Sequence, residues 1–164
     1  MPKYIQIVLD NIRASITRGT IPFMSAREAI YNTSLLYIGT DVSPADQAPD
    51  ELGCAESWSK VIQKACPGLN MPTFLSTREV YKYLYTSKDF ELAPTAEALH
   101  GDTVISPTGS SSILGKIGHV GIVGKHQIMS NDSRWGTWEA NYTLESWRRI
   151  FTKNGFPVLV FRKK

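Results

Sequence analysis

The strongest constraint on the fold is a change of pattern near Pro94. Ahead of it, apolar residues recur at helical spacing and two segments carry helix-start signatures. Ser25-Ala-Arg-Glu28 and Ser76-Thr-Arg-Glu79 are capping boxes, with a hydroxyl at the N-cap and a carboxylate three residues on. The first predicts a helix through Ala29, Ile30, Leu35 and Leu36 that ends by Gly39; the second predicts one carrying Val80, Tyr81 and Leu84. Residues 55–65, with Trp58, Val61 and Ile62, read as a helix closed by Cys66-Pro67-Gly68. Tyr4, Ile5, Ile7, Val8, Ile12 and Ile16 predict a further amphipathic helix ahead of Gly19, with 20–24 as a connector. After Pro94 the runs shorten. Residues 102–106, 118–123, 127–131 and 156–161 read as strands, the middle two joined by a tight turn. Residues 135–142 read as an aromatic connection, and 144–151 as a short helix capped by Thr143. Helices first and antiparallel strands second specify an α+β architecture in one domain, 1–164, with 1–24 a helical extension of a core over 25–164.

Charge and cysteine content narrow the functional classes. A net charge of +3 is mild, and no basic stripe interleaved with aromatics marks a nucleic-acid surface. No apolar run approaches the roughly 20 residues of a membrane span. The first 19 residues carry Asp10, Arg13 and Arg18 within their apolar pattern, so they do not read as a signal peptide. Cytoplasmic synthesis is the expectation. Cys54 and Cys66 lie twelve residues apart, roughly 18 Å along one helix, too far for a bridge that needs Cα atoms within about 7 Å. Two free thiols are expected. No CxxC or HExxH spacing implies a metal, and no cofactor is expected.

One stretch carries reactive chemistry. Gly53-Cys54-Ala55 places a thiol where a polar loop, 40–53, turns into a helix. Unpaired N–H groups and the positive end of the helix dipole there favour a thiolate, the nucleophilic form. Cys66, at the other end of that helix, reads as structural. Gly118-His119-Val-Gly-Ile-Val123 offers a base at the start of an apolar strand. Cys54 and His119 are therefore the expected nucleophile and base. His100 and His126 fall in a loop and a turn and fit this role less well. A three-residue loop, 124–126, would pair Ile122 with Ile128 and His119 with Asn131, making Asn131 the residue that orients the imidazole. Ser130 and Asp132 are the alternates.

These motifs resemble the papain-like cell-wall hydrolases, most closely the CHAP and NlpC/P60 cysteine peptidases. The resemblance rests on Gly53-Cys54-Ala55 opening a helix, Gly101-Asp102-Thr-Val-Ile, and Gly118-His119-Val-Gly-Ile-Val, and spans about 25–164. It implies a papain-like fold, with N-terminal helices on a small antiparallel sheet and a nucleophilic cysteine at a helix N-terminus. It also implies a monomeric peptidoglycan amidase or endopeptidase that works through an acyl-thioester, as phage endolysins do. Such an enzyme reaches the wall through a holin or inside a virion. Cys54 is followed by Ala-Glu-Ser-Trp and not by the Ser-Gly common in NlpC/P60 members, so the CHAP pattern fits better. The backbone N–H of Cys54 is the natural oxyanion donor, with Gln47 a further candidate. The alternatives are an acyltransferase, a protease acting on proteins, or an inactive wall-binding module stacking sugars on Trp135 and Trp138.

Overall fold

The computed structural model describes Gln6, residues 24–43 and residues 53–164. The expected N-terminal helix, apart from Gln6, and the 44–52 part of the loop before Cys54 lie outside the described residues. Among the described residues from 24 onward, three helices come first: α1 (Ala26–Tyr37), α2 (Cys54–Ala65) and α3 (Thr77–Thr86). Ser25 and Ser76 cap α1 and α3, their side chains accepting from the N–H of Glu28 and Glu79 at 3.2 Å. There follow β1 (Phe90–Ala93), a single 3-10 turn, β2 (Thr103–Ser106), β3 (His119–Val123), β4 (Ile128–Asp132), β5 (Thr137–Tyr142), α4 (Leu144–Lys153) and β6 (Leu159–Lys163). The strands form one antiparallel sheet in the order β1-β6-β2-β3-β4-β5. The α+β expectation holds.

Strand alternation sorts side chains onto two faces. One face presents Ile105, Val120, Ile122, Met129, Trp138 and Phe161 to a core completed by Ile30, Trp58, Val61, Ile62, Val80 and Leu84 from α1–α3. The other presents Val104, Val123, Ile128 and Val160 to Trp147 and Phe151 of α4 and to Phe156. Each large side chain so buried stabilises the fold by about 1.5–3 kcal/mol before entropy is counted. Trp58 also pins α2 to β2, its indole N–H donating to Thr103 Oγ1 at 3.0 Å. Trp147 does the same for α4, donating to Ser106 Oγ at 3.1 Å.

Three features differ from the sequence reading. Residues 137–142, expected as a connection, form edge strand β5, and 90–93 form the other edge strand, β1. The β3–β4 hairpin pairs Ile122 with Met129 and Val123 with Ile128. Its loop is thus 124–127, closed by the Gly124 N–H on the Gln127 carbonyl at 3.0 Å, one residue longer than expected. Carried along the strands, this register sets His119 against Asp132 and Val120 against Asn131. A one-residue change moves every side chain of a strand to the other face.

The two short motifs have structural reasons. Asp102 is fully buried and receives Arg162 through two bonds, Nε at 3.1 Å and Nη2 at 2.8 Å, plus the Leu99 N–H at 2.9 Å. It therefore ties the 97–102 turn to β6. Gly118 is a glycine because a Cβ there would collide with the Ser106 carbonyl and the Thr108 N–H.

Candidate active site

Cys54 is the first residue of α2, with Gly53 as N-cap; the Gly53 carbonyl accepts from the Ser57 N–H at 2.8 Å. The side chain is buried, and its thiol lies beside the backbone N–H groups of Val120, Ala55 and Cys54 itself. Burial dominates all the same. It pushes the thiol up to about 11, and the three N–H groups recover only part of that rise. The expected ready thiolate is therefore corrected. The helix-start donors are present, but taking a charge out of water costs more than they return. A nucleophilic role for Cys54 would require a base to remove its proton. Cys66 is a second free thiol, half-buried, and also pushed upward by burial.

His119 opens β3, and its neighbour Val120 supplies one of the N–H groups at the thiol. The His119–Val120 peptide thus meets the start of α2. Alternation turns the imidazole toward the α4 face, where it stacks on Trp147 at 5.3 Å and Phe151 at 6.1 Å, with Tyr142 edge-on at 5.9 Å. Its Nε2 meets Ser130 Oγ at 3.0 Å; its hydrogen bond goes to Ser130 and not to Cys54. Burial in this aromatic slot pushes the ring down to about 4, against a partial upward pull from Asp132. Both members of the pair are neutral at neutral pH, which disfavours a preformed thiolate–imidazolium pair.

The orienting residue also differs from expectation. Asn131 lies on the α2 side of the sheet, where its Oδ1 receives the Ser57 hydroxyl at 3.5 Å. Ser130, the first alternate, takes the imidazole and in turn donates to Asn141 Oδ1 at 2.8 Å. Asp132, the second alternate, lies on the imidazole's face. It accepts the Arg134 N–H at 2.9 Å and its guanidinium at 3.3–3.4 Å. Burial works against the Asp132 carboxylate, but Arg134 and the Asn141 amide together hold its pKa below the usual range. Asn141 escaped the sequence reading because β5 was read as irregular chain. The alternation in Trp138-Glu-Ala-Asn141 was its only signal.

Cys54 opens onto a cleft of about 220 Å³ lined by Leu75, Ser76, Thr77, Thr108, Ile117 and Gly118. Hydroxyls build one wall. Thr77 Oγ1 lies 2.9 Å from Thr108 Oγ1 and accepts the Thr108 N–H at 2.8 Å, while Gly118 N–H donates to Thr108 Oγ1 at 2.8 Å. These bonds clamp the loop after β2 onto the start of α3. Leu75 and Ile117 are exposed at the rim. A larger hollow of about 360 Å³ lies at the other end of α2, lined by Cys66 together with Asp89 and Lys163 and by no histidine.

The remaining candidates disperse. His100 packs edge-on against Tyr31 at 5.0 Å, with its pKa lowered by burial and by nearby Arg27 and Lys125. His126 is exposed in the hairpin loop. Gln47 lies outside the described residues. Trp138 is fully buried and Trp135 exposed, so the two do not form a shared stacking platform. Among the described residues no group of three or more His, Cys, Asp or Glu could hold a metal, and no helix is long and apolar enough to cross a membrane. No protein-family model matches the chain, and no curated protein matches it.

Proposed function

We propose that the chain is a cysteine hydrolase that cleaves an amide bond of bacterial peptidoglycan through an acyl-thioester. One observation carries the reading: the Cys54 thiol lies in a cleft, at a helix start, against the peptide that joins His119 to Val120. The CHAP-like pattern of glycine, cysteine and histidine motifs supports the choice of substrate.

The neutral pair assigns the order of proton transfers. The substrate carbonyl enters the cleft between Leu75 and Ile117, and its oxygen takes N–H groups at the α2 start, that of Cys54 first. His119 removes the thiol proton as Sγ attacks, because a thiol near 11 supplies almost no thiolate by itself. For this the imidazole turns at the strand end toward the thiol. The tetrahedral intermediate collapses as the imidazolium protonates the leaving amine. Water, deprotonated by the same ring, then attacks the thioester and releases the acid and the free thiol. No metal or organic group enters these steps.

The test is mass spectrometry of muropeptides after purified wall has been incubated with the full chain. New free amine and carboxyl ends should appear, and should be absent with Cys54→Ala or His119→Ala. An intact wall after prolonged incubation would refute the hydrolase. Products carrying an added amine in preference to water would reassign it as an acyltransferase.

A further inference from the structure

One end of the sheet gathers apolar side chains that water alone surrounds. The loop 107–118 joins β2 to β3 there, and the turn 133–136 joins the adjacent strand β4 to β5. β5 runs away from this end and α4 returns to it: Ser111 Oγ donates to the Asn154 carbonyl at 2.5 Å, and the Ser112 N–H to the Gly155 carbonyl at 3.1 Å. The loop is thus fastened at its middle to the end of α4 that carries Lys153, and Ile113 and Leu114 follow directly from the fastening. Leu114 is 98% exposed, and Gly115, at φ +75°, turns the tip with no atom within 4 Å of the place a Cβ would take. Trp135, on the neighbouring turn, is 73% exposed. Cations flank them. Residues 107–118 and 148–153 carry Lys116, Arg148, Arg149 and Lys153 and no acid.

We infer that this end of the molecule docks on an anionic lipid bilayer, with Ile113, Leu114 and Trp135 entering the layer beneath the headgroups and Lys116 and Lys153 meeting the phosphates. Shape and chemistry select this partner. A convex tip with a bare leucine fits a soft surface that closes around it. Tryptophan settles at the boundary of lipid and water, and flanking Lys and Arg are drawn to anionic headgroups. A soluble polyanion would engage the cations and leave Leu114 in water. A second copy meeting this end by two-fold symmetry would set these cations against cations like themselves. Asp132 at this end is paired by Arg134 at 3.3 Å, while Glu79 and Glu139 accept hydroxyls from Ser76 at 3.0 Å and Thr137 at 2.9 Å. The pull therefore comes from the loop and from α4. Leu75 and Ile117, at the mouth of the Cys54 cleft, belong to the same end, so a docked molecule holds that cleft at the bilayer surface. Docking needs neither Cys54 nor His119 as a reacting group, and so stands apart from the hydrolase reading.

The test is flotation of the full chain with vesicles of phosphatidylcholine alone and of phosphatidylcholine mixed with phosphatidylglycerol. Binding is expected with the mixed vesicles, falling as salt is raised, and much weaker with the neutral ones. Leu114→Ser should weaken it about tenfold with an unchanged thermal midpoint, because that side chain already lies in water in the free protein. Lys116→Gln and Lys153→Gln should each weaken it about fivefold, and Cys54→Ala should bind as the wild type does. A chain that does not float with the mixed vesicles would overturn the proposal. So would binding that Leu114→Ser leaves intact, since cations alone would then hold the vesicle as they would any polyanion. A dimer seen by sedimentation in place of flotation, and dissolved by Leu114→Ser, would reassign the surface to a second copy. Vesicle binding of the expected kind by a chain that leaves purified wall intact would support this surface and remove only the proposed substrate.

Discussion

Acidification should weaken this fold through His119 in particular. The ring's ordinary value is 6.5, and burial against Trp147 and Phe151 pushes it down to about 4. In the unfolded chain the ring takes a proton near 6.5; in the folded chain it takes none until about 4. Between those values the unfolded state binds more protons, so stability falls as pH falls. The contribution is fully present above 6.5 and gone below about 4. At 1.36 kcal/mol per pH unit the interval amounts to roughly 3 kcal/mol; His119 still meets some solvent, so about 2 kcal/mol is the working figure. The assay is urea unfolding at steps from about pH 7.5 to about pH 4, for the wild type and for His119→Gln, which cannot titrate there. His100→Gln serves as a control, since that ring is also lowered, by burial first. The wild type should lose about 2 kcal/mol more than His119→Gln across the window. Parallel profiles would refute the buried neutral imidazole, and with it the aromatic slot as its cause.

Cys54 predicts the opposite limb: its thiol is raised from 9.0 to about 11, so stability is held below 9 and lost as pH rises toward 11. Chemical unfolding should show a decline of on the order of 2–3 kcal/mol in the wild type that Cys54→Ala lacks. Arg162→Met strands the buried Asp102 carboxylate and should cost about 3 kcal/mol or more at neutral pH, measured by urea unfolding. Gly118→Ala forces a Cβ onto the Ser106 carbonyl and should cost roughly 1–3 kcal/mol. Because it shifts the clamp at Thr108, the proposed hydrolysis of wall should fall further than its thermal midpoint suggests.

The sequence reading succeeded where local chemistry decides. The two capping boxes and the apolar spacing set the starts of α1 and α3, and Trp58, Val61 and Ile62 turned α2 inward as expected. It failed where the outcome depends on partners far along the chain. Phe90–Ala93 is only four residues, and it is a strand because β6 pairs with it. The hairpin register was judged from apolar pairing alone, and Ile122 finds Met129 as good a partner as Ile128. That single residue exchanged Asn131 for Ser130 at the imidazole. The helix-start argument for Cys54 identified the right donors but carried no measure of how deeply Val120 and the cleft walls would bury the sulfur.

The place of β6 in the sheet has a consequence for when the molecule matures. Leu159–Lys163 slots between β1 and β2, and the Lys164 N–H closes the join on the Asp89 carbonyl at 3.0 Å. A nascent chain that has been translated only as far as Pro157 holds β1 and β2 with their facing edges empty, and Asp102 without Arg162. Such open edges invite strand exchange between neighbouring chains, so this interval is the vulnerable one for aggregation. It also delays the cleft, whose wall depends on the loop that leaves β2. Stalled or shortened copies ending ahead of Leu159 should therefore be inert as well as sticky.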